Sequence, residues 1–171
     1  MLAVRRFTAD DVEALVKFNA GLSARTRNFF LPHAYGAATL SAYAERDRCG
    51  EDRIYVLRDD AEIVGYFFLW EFDRPVPLLG LGLTDAWQGR GLGGRLLRIL
   101  IEDARLAGRD GVELTTMTTN DRAFRLGDAG FTPLGVVENV AGDGRVVREH
   151  RMFLALKPGA QPPEREFKPP L

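Results

Sequence analysis

Apolar and polar positions alternate in short runs towards both ends of the chain and form one long helical stripe between them. Leu2-Ala3-Val4-Arg5-Arg6-Phe7 alternates well enough to predict a first strand. Thr8 follows as an N-cap, with Asp10 and Asp11 in the first turn, where the helix dipole favours carboxylates. Val12, Leu15, Val16 and Asn19 recur at helical spacing, and the helix ends near Gly21. Ser23 to Gly50 is less determined. Phe29-Phe30-Leu31-Pro32-His33-Ala34-Tyr35 interrupts any period, while Leu40-Ser41-Ala42-Tyr43-Ala44 suggests a second helix. Ile54–Arg58 and Glu62–Trp70, joined by the acidic turn Asp59-Asp60-Ala61, read as a hairpin. Pro75 and Pro77 then make a rigid connection.

The stretch Leu78–Gly94, LLGLGLTDAWQGRGLGG, organises the rest. Its alternating Leu and Gly suit a buried strand, and four glycines crowd the six positions that precede and open a helix. Leu92, Leu96, Ile99, Leu100 and Leu106 carry the apolar face of that helix, and Gly108 is a natural stop. Val112–Met117 reads as a strand, Asp121–Ala129 as a short helix and Phe131–Val137 as a strand. A Gly-Asp-Gly turn between Asn139 and Arg145 makes a hairpin with Val146–Leu156. His150 there shares a face with Arg148 and Met152, where a satisfied or solvated histidine is the default. Strands and helices alternating in this order imply an α/β domain over residues 1–156, a mixed sheet with helices on both faces. From Lys157 onward, repeated prolines predict an extended Pro-rich tail over residues 157–171.

The glycine corner suits an anion. The first N–H groups of a helix have no intrahelical partners, and the aligned peptide dipoles leave partial positive charge there. Gly89, Gly91, Gly93 and Gly94 remove the Cβ atoms that would hold a phosphate away from those amides, and Arg90 and Arg95 add charge at the rim. The dinucleotide fingerprint GxGxxG fits the spacing but not the context. Five residues, Thr84 to Gln88, separate the strand from the first glycine, and the next strand ends in Thr118 and Thr119 rather than an acid. A P-loop is excluded because no Lys-Ser or Lys-Thr follows the glycines.

Gln88-Gly89-Arg90-Gly91-Leu92-Gly93 resembles the Q/R-x-x-G-x-G/A pyrophosphate loop of the GNAT acetyltransferases. The resemblance extends to Leu81 and Leu83 at the spacing of that family's fourth strand, and to Asn120-Asp121-Arg122-Ala123 followed by Gly130-Phe131, and covers roughly Ile54 to Leu156. It implies a mostly antiparallel mixed sheet whose fourth and fifth strands splay into a cleft, and acetyl-CoA as acyl donor. By position, Leu81 and Leu83 would meet the pantetheine, and Gln88, Gly89, Arg90, Gly91, Leu92, Gly93 and Gly94 the pyrophosphate. The backbone N–H of Leu83 would stabilise the developing oxyanion, and Asn120 would bind the cofactor or order water. The implied reaction is acyl transfer to a primary amine, of a small molecule or a protein, by direct attack. Arg25, Arg27, His33 and Tyr35 fall where this family shapes its acceptor pocket. For the base, Glu71 comes first and Asp73 second, as carboxylates at the end of the third strand.

One departure matters. The family's tyrosine acid, in the pattern Asn-x-x-Ala-x-x-x-Tyr, would fall at Gly127. Either Tyr66, Tyr35 or water protonates the thiolate, or the chain is a non-catalytic acyl-CoA-binding or sensing module.

Composition narrows the surroundings. With 23 basic and 24 acidic residues the chain has no global pull towards nucleic acid. The single cysteine, Cys49, allows no intrachain disulfide. No apolar run is long enough for a signal peptide or a membrane span, and no His, Cys or carboxylate cluster has metal-ligand spacing. These readings point to a soluble cytoplasmic protein without a metal; an edge strand near the C-terminus either pairs with a second subunit in a homodimer or stays covered.

Overall fold

A computed structural model describes residues 1–121 and 129–171. In chain order it forms β1 (Leu2–Arg6), α1 (Val12–Ala20), α2 (Ala24–Phe29), α3 (Ala37–Cys49), β2 (Arg53–Asp59), β3 (Glu62–Trp70) and β4 (Leu78–Leu83). Then come α4 (Leu92–Leu106), β5 (Gly111–Met117), β6 (Thr132–Val140) and β7 (Val146–Ala155). The strands make one sheet in the order β1-β2-β3-β4-β5-β7-β6, antiparallel throughout except for the parallel pair β4 and β5.

Two cores lie on opposite faces of the sheet. Tyr66, Phe68 and Trp70 of β3 pack with Phe18 of α1 and Tyr43 of α3, while Phe67 and Leu69 pack with Leu96 and Leu100 of α4. Successive side chains of a strand point to opposite faces, so β3, buried on both, is apolar almost throughout.

The same alternation explains β4. Leu79, Leu81 and Leu83 face α4, and Gly80 and Gly82 leave room on the other side for aromatic rings. A Cβ on Gly80 would come within 2.3 Å of the Phe68 ring, and one on Gly82 within 2.3 Å of the Phe30 ring. The glycines of this strand are therefore a packing requirement of the aromatic face.

The structure adds elements that periodicity does not reveal. Helix α2, in the aperiodic region, begins with Ser23 accepting the Thr26 N–H at 3.2 Å. Arg27 crosses back to the carbonyls of Asn19, Ala20 and Leu22 at the end of α1. Helix α3 runs to Cys49 and stops at Gly50, which has a left-handed φ of 82°. Strand β6 continues past Val137 to Val140. The helix expected over Asp121–Ala129 lies largely on residues 122–128, outside the described residues. The tail has no regular element but docks on the domain, with Phe167 in the first core. Among the described residues no helix is long and apolar enough to cross a membrane.

Candidate active site

β4 pairs with β3 along its whole length but with β5 only at Leu78–Glu113 and Leu79–Leu114. Beyond Leu79 the two parallel strands part, and a cavity of about 620 Å³ opens at the gap. The backbone of β4 is turned towards it. Thr84 N–H donates to the Val64 carbonyl at 2.9 Å. Ladder bonds recur at every second residue of an antiparallel strand, so the N–H groups of Leu81 and Leu83 point away from β3, into the gap.

The glycine corner stands at the mouth of this gap. Gly91 is the N-cap of α4 with φ 76°, and Gly89 has φ 72°. Both dihedrals are left-handed, a region that side chains other than glycine's adopt only under strain. No side chain caps the first turn of α4. A Cβ on Gly94 would meet nothing within 4 Å, and one on Gly93 only Leu81 at 4.0 Å. The opening amides of α4 are thus uncovered beside the cleft.

Other predicted residues are placed as follows. Gln88 is at the corner, but its side-chain amide donates inward, to the Leu83 carbonyl at 3.0 Å and the Thr26 hydroxyl at 3.1 Å. Arg90 is exposed and stacks over Trp87, 4.8 Å from its ring centre. Leu92 packs against the α4 core, and Asn120 lines the cavity on a turn closed by its N–H to the Met117 carbonyl. Position Gly127 lies outside the described residues.

Helix α2 roofs the cleft. Asp85, just after β4, accepts the Ser23 N–H, the Ser23 hydroxyl and the Thr26 hydroxyl at 3.0, 2.6 and 2.7 Å. These donors hold its carboxyl down to about 2. From the same helix Asn28 reaches the Met117 sulfur at the end of β5, at 3.9 Å. Arg25 of α2 lines the cavity, whereas Arg27 is spent on capping α1.

Glu71 is placed elsewhere. It sits in the turn after β3 with a left-handed φ of 54°, its N–H held by the buried Asp52 carboxylate at 2.9 Å, and its carboxylate lies 3.6 Å from Arg165. Neither Glu71 nor Asp73 is on the cavity wall. His33, Tyr35 and Tyr66 also stand behind the wall. The His33 ring is fully buried between Tyr35 and Tyr43, with Nδ1 on the Ala34 carbonyl at 2.7 Å and Nε2 on the Tyr66 hydroxyl at 2.9 Å. Burial pushes the Tyr66 and Tyr35 hydroxyls well above the ordinary tyrosine range and His33 down to about 4. Among the described residues no tyrosine lines the cavity.

A carboxylate that sequence reasoning missed does line it. Glu149 of β7 is 9 % exposed and accepts the side-chain amide of Asn139 at 2.6 Å. Asn139 also donates to the Thr115 hydroxyl of β5 at 3.2 Å. Its neighbour His150 pairs with Thr116 in the register and faces the α4 side with Met152, so Glu149 faces the aromatic side. The sequence carries little signal for it, because polar residues stand on both faces of the last strand, Arg148 and His150 on one and Glu149 and Arg151 on the other.

The sequence matches the acetyltransferase (GNAT) family over residues 23–131. The chain belongs to the GNAT acetyltransferase family. No curated protein matches it significantly in sequence. Solved structures share the GNAT fold. Salmonella typhimurium yncA, solved with acetyl-CoA, is 21% identical with TM-score 0.73, covering 95% of this chain and 98% of its own. A ribosomal-protein-alanine N-acetyltransferase from Brucella melitensis is 21% identical with TM-score 0.71, covering 90% and 99%. A spermidine N-acetyltransferase chimera of the Vibrio cholerae enzyme and hSSAT is 17% identical with TM-score 0.71, covering 91% and 94%.

Proposed function

We propose that this GNAT protein transfers the acetyl group of acetyl-CoA to a primary amine by direct attack in a ternary complex. One observation carries the reading: the unpaired backbone edge of β4 and the uncapped first turn of α4 open into the same cavity. A thioester attached to a diphosphate through a long amide-bearing arm matches that surface. The free amides of Leu81 and Leu83 would bind the arm. The corner from Gln88 to Gly94 would hold the diphosphate through its backbone, with Arg90 at the rim, and Asn120 would line the donor's path. Acetyl-CoA supplies the activated acyl group, and the chain supplies orientation and proton transfer.

Within the cavity the N–H of Leu83 is the donor for the carbonyl oxygen as negative charge develops on it. Glu149 is the base we assign, in preference to Glu71, because it lines the wall and its carboxylate is held by Asn139. It would take a proton from the amine, directly or through one water. With no described tyrosine on the wall, water is the proton source for the leaving thiolate. The acceptors named for similar structures, a ribosomal-protein alanine and spermidine, differ widely, and the acceptor here is left at the level of a primary amine.

Gly94→Ala tests the donor site. In the free protein the added methyl meets nothing, and alanine stabilises a helix over glycine by up to about 1 kcal/mol. The variant is expected to melt at or above the wild-type temperature while binding acetyl-CoA at least about tenfold more weakly by calorimetry, a loss of about 1.4 kcal/mol. Unchanged affinity removes the corner from the donor site. The absent wall tyrosine favours one other reading, a non-catalytic acyl-CoA-binding module, which tight acetyl-CoA binding without thiol release across an amine panel would support.

A further inference from the structure

Residues 163–171 do more than trail from the domain. Phe167 makes a parallel bridge to Asn139, and its carbonyl accepts the Val140 N–H at 3.0 Å. Its ring is buried in the aromatic core, with the Arg151 guanidinium 5.2 Å from the ring centre. Arg151 also donates to the Pro163 carbonyl at 2.6 Å. Arg165 donates to the Val76 carbonyl and lies 3.5 Å from the fully buried Glu113, the residue paired with Leu78 where β4 and β5 begin to separate. The segment therefore crosses the sheet from the neck of the cleft to β6, on the face that carries Glu149. Lys168, the next residue, lines the cavity, its ammonium on Glu166 at 2.7 Å.

Asn139 joins the two systems. Its backbone is bridged to Phe167, and its side chain holds the Glu149 carboxylate and the Thr115 hydroxyl. A β-bulge displaces the β6–β7 register between Pro133 and Val136. Near its far end, edge strand β6 is braced by the tail at Asn139 and Val140. A bulge locally disrupts the ladder, and an edge strand is paired on one side only, so outside contacts help set where such a strand lies. The tail thus fixes the backbone from which the carboxylate is oriented.

We propose that Pro163–Leu171 is the acceptor-side wall of the active site, with Phe167 positioning Glu149 through Asn139 and Lys168 contributing to acceptor binding. This rests on the acetyltransferase reading above. It assigns a share in catalysis to a segment outside the matched family region, which ends at residue 131.

The test is steady-state kinetics on the full chain with its best amine, alongside calorimetric binding of acetyl-CoA and thermal melting. Phe167→Ala is expected to lower kcat about tenfold or more through misplacement of the base, with acetyl-CoA affinity kept within about twofold, and Phe167→Leu to restore most of it. Lys168→Ala, at an exposed position, is expected to raise the acceptor KM several-fold with kcat unchanged, and keeps the wall testable if Phe167→Ala fails to fold. Wild-type kinetics in folded Phe167→Ala, or an unchanged acceptor KM in Lys168→Ala, overturns the corresponding half of the proposal alone. A wild-type chain that binds acetyl-CoA but acetylates no amine removes the acetyltransferase reading and this inference with it.

Discussion

Across the last hairpin, Asn139 donates its side-chain amide to the Glu149 carboxylate at 2.6 Å, on the wall of the cavity where β4 and β5 part. An amide neither gives nor takes a proton at neutral pH, so in the proposed mechanism Asn139 would orient the carboxylate and Glu149 would be the base. Glu149→Gln keeps the shape and removes the base. Turnover is expected to fall about a hundredfold or more, with acetyl-CoA affinity unchanged by calorimetry. Glu71→Gln, at a turn away from the wall, is expected to leave turnover near wild type. The reverse ranking of the two variants would return the base to Glu71.

Gly82 faces the Phe30 ring so closely that a methyl group would enter it. Phe30 lines the cavity and also packs on Tyr66 and Phe68. Gly82→Ala is therefore expected to destabilise the fold by about 1–3 kcal/mol, the usual cost of overpacking, and to displace the ring into the cavity. Denaturant unfolding reads the first effect and a raised KM for one or both substrates reads the second. A variant with unchanged stability would show that Phe30 yields freely.

Asp85 anchors the roof through three hydrogen bonds to Ser23 and Thr26. Replacing it with alanine leaves the Gln88–Thr26 hydrogen bond as the remaining polar tie between α2 and this end of β4 among the described residues. Amide exchange in residues 24–29 is expected to accelerate, while the amides of β3 keep wild-type protection. Exchange that rises equally in both places would mark a global loss of stability instead.

His33 makes stability pH-dependent. The Ala34 carbonyl requires a proton on Nδ1, so Nε2 accepts from the Tyr66 hydroxyl and the ring is neutral. Burial lowers its folded pKa to about 4, against 6.5 for the ordinary group. Between those values the unfolded chain binds the extra proton and the folded chain does not. Its contribution is present in full above pH 6.5 and falls away as the pH drops towards 4, a loss on the order of 3 kcal/mol. Urea unfolding at stepped pH measures it. His33→Asn, less stable at neutral pH, is expected to lose this part of the acid slope; an unaltered slope assigns it to other groups.

Much of the architecture was legible because its causes are local. The alternation of β1, the hairpin of β2 and β3, the stripe of α4 and the glycines that open it each depend on residues within a few turns of one another. The glycine corner in particular combines backbone dihedrals with the start of a single helix, so its shape could be read without knowing what packs around it. Helix α2 was not legible, because its capping serine and the Asp85 that holds it give no hydrophobic period.

By itself the sequence showed the order of strands and helices and the glycine-rich corner that follows β4, and its resemblance to the GNAT family implied the splayed sheet. Tertiary structure decided which carboxylate meets the cavity. The order β5-β7-β6 brings Thr115, Asn139 and Glu149 together across three strands, while the left-handed turn held by Asp52 carries Glu71 towards Arg165. It also decided that the proline-rich tail docks on the sheet, with Phe167 in a buried aromatic cluster and Arg165 beside the buried Glu113 and the Val76 carbonyl. Strand pairing is non-local, and a site built across it takes its membership from the register of the whole sheet.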